Sequence, residues 1–101
     1  MLGGVNSLNC NVSLQIIPNV PDTDLYPLVD RVIAMIRGSG VKHVVGPMET
    51  TMEGELHALL GIVERAQELC FQCGATRVLA VVKIDCGVGG VTIDEKIAKY
   101  R

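Results

Sequence analysis

Gly46-Pro47-Met48-Glu49-Thr50-Thr51-Met52-Glu53-Gly54-Glu55 joins a strand-like run to an amphipathic helix, and the change of period inside it decides the fold. Val41 to Gly46 reads as a short second strand closed by Pro47, whose missing amide donor suits an edge or bulge. Glu49 to Glu53 reads as a third strand. Side chains alternate along a strand, so Glu49, Thr51 and Glu53 share one face while Thr50 and Met52 share the other. From Glu55 the period becomes 3.6, with Leu56, Leu59, Leu60, Ile62, Val63, Ala66, Leu69 and Cys70 inside and Glu64, Arg65, Gln67 and Glu68 outside. That second helix ends at Gly74.

Working outward, Asn9 to Pro18 alternates as a first strand, with Val12, Leu14 and Ile16 on one face and Asn11, Ser13, Gln15 and Ile17 on the other. Pro18 and Pro21 end it. Asp22 and Asp24 flank Thr23 at a capping position, and Leu25, Leu28, Val29, Val32, Ile33 and Ile36 recur at helical spacing until Gly38 and Gly40. Downstream, Thr76 to Cys86 is a fourth strand rich in β-branched residues, with Val78, Ala80, Val82 and Ile84 opposed to Leu79, Val81, Lys83 and Asp85. Gly87, Gly89 and Gly90 form a loop. Thr92 to Tyr100 is a short helix with Thr92 as its cap and Glu95 completing a capping box. Residues 1–8 read as a loose leader and residues 9–101 as a single domain.

The order βαββαβ implies a ferredoxin-like α+β sandwich, in which both long helices cover one face of a four-stranded antiparallel sheet. Strands one and three are central neighbours, and strand four lies on the other side of strand one. The open face then collects Asn11, Ser13, Gln15, Ile17, Thr51, Glu53, Leu79, Val81, Lys83 and Asp85. Its apolar part disfavours exposure to water, so the expected cover is another subunit.

Composition removes several classes of function. The 101 residues are 49% hydrophobic, which places the chain among folded proteins. The net charge is only -2, and Lys and Arg are scattered, which argues against nucleic acid. No apolar run approaches the roughly 20 residues of a membrane span, and the N-terminus lacks a signal-peptide pattern, so the expectation is a cytoplasmic protein. Cys70 and Cys73 form a C-x-x-C near a helix end rather than at a strand-to-helix turn, so the thioredoxin context is missing. Cys10, Cys86, His43 and His57 have no second paired spacing that would complete a zinc site. Reduced, structural cysteines are expected, with no metal and no cofactor.

The strand Asn11-Val12-Ser13-Leu14-Gln15-Ile16-Ile17-Pro18, the run Val45 to Glu55 and the segment Val82 to Asp85 continuing through Gly89 to Arg101 resemble the small thiamine-binding protein family related to YkoF. The resemblance covers nearly everything after residue 9, and the G-P-x-x-T-x-x-E-G-E run at Gly46 to Glu55 is its most specific part. It implies a ferredoxin-like fold, subunits paired through their sheets as homodimers or homotetramers, and a non-enzymatic site for thiamine or its hydroxymethylpyrimidine portion. Many members have Gly where this chain has Glu49, and an Arg-rich D-D-R-x-D run where it has Asp85 to Gly89.

The residues suit such a ligand. Thiamine joins a cationic thiazolium to an aminopyrimidine, and Glu49, Glu53 and Asp85 offer carboxylates to a cation or an amino group. Ser13, Gln15, Thr50 and Thr51 offer hydroxyl and amide groups to a pyrimidine edge, and Met48 and Met52 offer polarizable walls. These seven polar residues are the expected ligand site. The plainer reading keeps the same stripe as the solvated face of an antiparallel sheet, with Ser13, Gln15, Lys83 and Asp85 bonding across an interface. A homo-oligomeric regulatory or interaction module without a small ligand is therefore the alternative. Catalysis by Glu53 or Asp85 lacks support, since no nucleophile is paired with an orienting base and no phosphate-cradling loop is present.

Overall fold

The computed structural model describes Gly4 and residues 8–101, so most of the expected leader lies outside the described residues. Four strands form one sheet: β1 (Asn9–Pro18), β2 (Lys42–Val45), β3 (Thr50–Glu55) and β4 (Val78–Asp85). Their spatial order is β2-β3-β1-β4, and every neighbouring pair is antiparallel. Two long helices, α1 (Asp22–Gly38) and α2 (Leu56–Gln72), complete the βαββαβ order. The chain then closes with α3 (Ile93–Ile97) and a 3-10 turn over Ala98–Tyr100.

Register explains why the alternation of β1 sorts its residues so sharply. Val12 faces Met52 and Ile84, and Leu14 faces Thr50 and Val82, all on the helix side of the sheet. Val12, Leu14 and Met52 pack there against Leu28, Val32 and Ile36 of α1 and Leu59, Ile62, Val63, Ala66 and Cys70 of α2. Burying each large aliphatic side chain contributes about 1.5–3 kcal/mol, so this single layer carries most of the drive to fold. On the opposite face Asn11 meets Glu53 and Asp85, and Ser13 meets Thr51 and Lys83. The β1–β3 pairing stops at Thr50 opposite Leu14, so residues 15–18 of β1 have β4 on one side and, among the described residues, no strand on the other.

The element ends depart from the sequence expectations for local reasons. Thr23 does not cap α1: Pro21 occupies the N-cap without a side-chain bond, its fixed φ of -55° leading the chain in. The chain between β2 and β3 turns tightly, with Gly46 N–H donating to the Glu49 carbonyl at 2.9 Å, so Glu49 belongs to the turn rather than to β3. β4 starts at Val78 and ends at Asp85, which leaves Thr76 and Cys86 outside the ladder. α2 stops where Gly74 adopts φ +97°, a left-handed conformation that lets Ala75 N–H return to the Cys70 carbonyl at 3.0 Å. Thr92 does cap α3, its Oγ1 accepting from Glu95 N–H at 3.1 Å.

The open face is not wholly open, because the C-terminal segment crosses one end of it. Val91 N–H donates to the Asn9 carbonyl at 2.8 Å, and Asn9 Nδ2 donates back to the Val91 carbonyl at 2.8 Å. Ile93 is consequently buried, as are Asn11 and Ser13 beneath. At the other end of the same face Ile17, Leu79 and Val81 remain 41%, 59% and 42% exposed.

Candidate functional site

The site begins with a row of polar side chains that strand alternation sends to the outer face and that α3 then borders. Ser13, in the middle of β1, is flanked by Thr51 of β3 and Lys83 of β4. Together with Asn11, Glu49, Asp85 and Lys96 they line a hollow of about 260 Å³. Two ion pairs frame it: Lys83 Nζ lies 2.9 Å from Glu49 Oε1, and Lys96 Nζ lies 2.6 Å from Asp85 Oδ2. Lys96 also donates to Asn11 Oδ1 at 2.8 Å. These pairs are largely solvated, so they set orientation more than they stabilise the fold.

Ser13 stands apart from this network. It is only 6% exposed, and its Oγ has no hydrogen-bond partner among the described residues. A buried hydroxyl without a partner is costly, and a bound water, an ion or a functional role can account for one. Here the hydroxyl adjoins the hollow, beside two carboxylates and two ammonium groups of opposite charge.

A second hollow of about 330 Å³ continues from the first through shared residues Glu49, Thr51 and Lys96, and Val44, Met48, Ile93 and Ile97 give it apolar walls. On the helix side of the β2–β3 turn, a cleft of about 400 Å³ lies between α1 and the unpaired end of β1. Its lining is mostly apolar, including Leu25, Val29 and Ile33, with Tyr26, Gln15, Thr50 and Glu49 as polar members. Glu49 borders all three spaces, which the turn position of this residue makes possible.

Of the seven residues expected to bind ligand, the structure brings Ser13, Glu49, Thr51 and Asp85 together at one hollow. Glu53 lies beside it on the same face, but its Oε1 accepts from Ile93 N–H at 2.7 Å and so fastens α3 to the sheet. Thr50 points the other way: it is buried on the helix side opposite Leu14 and Val45 and borders the cleft. Gln15, paired in register with Val81, also borders the cleft rather than the hollow. Met48 is exposed and lines the second hollow and the cleft, whereas Met52 is fully buried in the core and cannot be a wall of either.

The sequence reading missed Lys96, which reaches the hollow only because the tail folds back. A signal was present: Ile93, Lys96 and Ile97 fall at i, i+3 and i+4, one side of a helical turn, and that side meets the sheet. The tail is further held by Lys42, whose ammonium pairs with Asp94 at 2.7 Å. Asp94 in turn raises the pKa of Lys42 above the ordinary lysine value by its hydrogen bond and charge.

Chemically, the arrangement can bind a ligand with a cationic or amino-bearing part and an edge of hydrogen-bonding atoms. Ser13 Oγ makes no hydrogen bond to either carboxylate of the hollow. Among the described residues no three His, Cys, Asp or Glu gather as metal ligands would.

Four antiparallel strands with two long helices on one face make this a ferredoxin-like α+β sandwich. Residues 12–101 match the family model described as thiamine-binding protein, and the chain belongs to that family. A UPF0045 protein of Clostridium perfringens is 60% identical over 92 residues, covering 91% of this chain and 97% of its own. Among solved structures, a domain of unknown function from Bacillus cereus superposes with a TM-score of 0.88 at 43% identity, covering 97% of this chain and 95% of the other. A Thermotoga maritima protein provisionally assigned to thiamine biosynthesis or salvage superposes with a TM-score of 0.85 at 38% identity, covering 92% and 99% respectively.

Proposed function

We propose that the protein binds thiamine or its hydroxymethylpyrimidine portion without transforming it, in the hollow formed by Ser13, Glu49, Thr51, Lys83, Asp85 and Lys96, and so acts as a carrier, buffer or sensor. The observation that carries this reading is the unpartnered Ser13 Oγ beside two carboxylates. A pyrimidine ring nitrogen is a fitting acceptor for that hydroxyl, and an exocyclic amino group is a fitting donor to Glu49 or Asp85. A thiazolium cation would compete with Lys83 for Glu49, and Met48 would give its ring a polarizable neighbour. The family to which the chain belongs and the Thermotoga relative support the same ligand class.

In this reading a second copy of the chain covers the exposed apolar end of the face, where Ile17, Leu79 and Val81 lie. Such a cover would exclude water from the adjoining hollow and strengthen each polar contact inside it. Calorimetric titration with thiamine, its phosphates and free hydroxymethylpyrimidine tests the function directly. Saturable heat with one of them supports the proposal. No heat with any of them leaves the sheet face as an interface alone and sinks it.

A further inference from the structure

We infer that Cys10 and Cys86 are an oxidisable thiol pair that closes into a disulfide between β1 and the root of the C-terminal tail when the protein meets a hydroperoxide. The sheet register places them. The β1–β4 pairing runs without interruption from Pro18 opposite Val78 to Asn11 opposite Asp85, where the ladder ends, and Cys10 and Cys86 are the next residue on each side. Asn19 N–H donates to the Arg77 carbonyl at 2.7 Å, which fixes the alternation of the ladder. Counting from that pair, the ladder extended by one residue would bring Cys10 and Cys86 to a position of the type that lacks main-chain hydrogen bonds, where opposed Cα atoms stand about 4.5 Å apart. Disulfides need Cα separations of about 4.4–6.8 Å, and that position falls within the range.

The side chains agree with the backbone. The Cys10 thiol donates to the Leu8 carbonyl at 3.8 Å, and the neighbouring Cys86 thiol, then burial and the nearby negative charge of Asp85, push it up to about 11. Cys10 is completely buried, while Cys86 is only partly covered. That difference orders the chemistry. Cys86 gives its proton to solvent, and its thiolate attacks a peroxide oxygen, forming an S–O bond and breaking the O–O bond. The released alkoxide or hydroxide takes a proton back from solvent and leaves as an alcohol or water. The Cys10 sulfur then displaces the hydroxyl from the Cys86 sulfenic acid; the S–S bond forms, and the Cys10 proton leaves with the hydroxyl as water. The sulfur pair gives up two electrons, and the peroxide accepts them.

The position gives the bond a consequence. Cys86 directly follows β4 and precedes the Gly87–Gly90 turn, closed by Gly90 N–H to the Gly87 carbonyl at 2.8 Å, from which the chain runs on to α3. A bridge there pins the root of the segment that carries Lys96. The other cysteine pair, Cys70 and Cys73, lies at the far end of α2, where Cys70 is fully buried and the Cys73 sulfur already accepts from Arg31 at 3.2 Å.

The test is peptide mapping of the full chain after exposure to hydrogen peroxide and alkylation. Expected is the loss of half of its four free thiols, a peptide pair joined through Cys10 and Cys86, and full recovery on reduction. In Cys86→Ser, Cys10 should stay alkylatable after the same treatment, because no sulfenic acid forms within its reach. The inference is overturned if Cys86 proceeds to the sulfinic acid while Cys10 stays free, or if the only bridge joins Cys70 to Cys73. Oxidation of Cys10 at an undiminished rate in Cys86→Ser would also overturn it.

Discussion

Replacing Ser13 with Ala should stabilise the free protein and weaken its complex, two effects of opposite sign from the loss of one oxygen. Ser13 is 6% exposed, and its hydroxyl has no partner among the described residues. An unsatisfied buried hydroxyl costs about 1–3 kcal/mol. Removing it leaves little void, because the vacated space adjoins the hollow instead of closing off inside the core. Ser and Ala differ little as strand formers at a single position, so the net gain should be about 1–2 kcal/mol. For a domain of this size each kcal/mol moves the melting temperature by about 4–8 °C. In the complex the hydroxyl makes a neutral hydrogen bond, and its loss should cost about 0.5–1.5 kcal/mol, roughly a 2- to 10-fold weaker Kd. Thermal unfolding and calorimetry on the same samples give both numbers. A lower melting temperature would show that Ser13 already has a partner in the free protein. A higher one with unchanged affinity would show that the ligand sits elsewhere.

Val81→Asp, at the exposed apolar end of the open face, should turn an oligomer into monomers in light scattering, because an unpaired charge buried at an interface costs several kcal/mol; an unchanged mass would place the interface elsewhere. Glu53→Gln weakens the bond that fastens Ile93 to the sheet, so α3 should become more sensitive to limited proteolysis and ligand affinity should fall by roughly 2- to 10-fold; equal cleavage rates would deny Glu53 that role. Lys83→Gln releases Glu49 from its ion pair and should tighten thiamine binding by roughly 1 kcal/mol or less while leaving the neutral hydroxymethylpyrimidine nearly unaffected; weaker thiamine binding would mean that Lys83 itself contacts the ligand. Cys10 holds its proton more tightly in the folded state, up to about 11 against 9.0 ordinarily, so its contribution is intact below about 9 and lost as pH rises toward 11; chemical denaturation should show a shallower alkaline decline in Cys10→Ala.

The fold was legible because its determinants are local. Alternation in β1 and the 3.6-residue recurrence in α1 and α2 mark one buried face on each element, and those faces can meet in only a few ways. Alternation also put Glu49 on the outer face even though the tight Gly46–Glu49 turn removed it from β3. The site was legible only where the same rule reached. Ser13, Thr51 and Asp85 share a face by parity, and by parity Thr50 does not, so grouping it with them as a pyrimidine reader overlooked the rule that placed the rest. Lys96 and the second role of Glu53 lay beyond such reasoning, since both depend on the tail folding back across the sheet, a contact between segments 40 residues apart. No period within either segment encodes it.

The early end of β3 bears on how this protein behaves when concentrated. A central strand normally excludes proline, yet Pro18 closes β1 opposite Val78. Because Asn19 N–H points toward β4, the nitrogen of Pro18 points the other way, to the side that β3 has already left. The stretch of β1 that could recruit a foreign strand therefore ends in a residue with no hydrogen to offer, and Tyr26 and the side of α1 stand beside it across the cleft. Exchange of Pro18 for Val would restore that donor and lengthen a free, β-branched edge, turning a self-limiting sheet into a template for chain-to-chain aggregation.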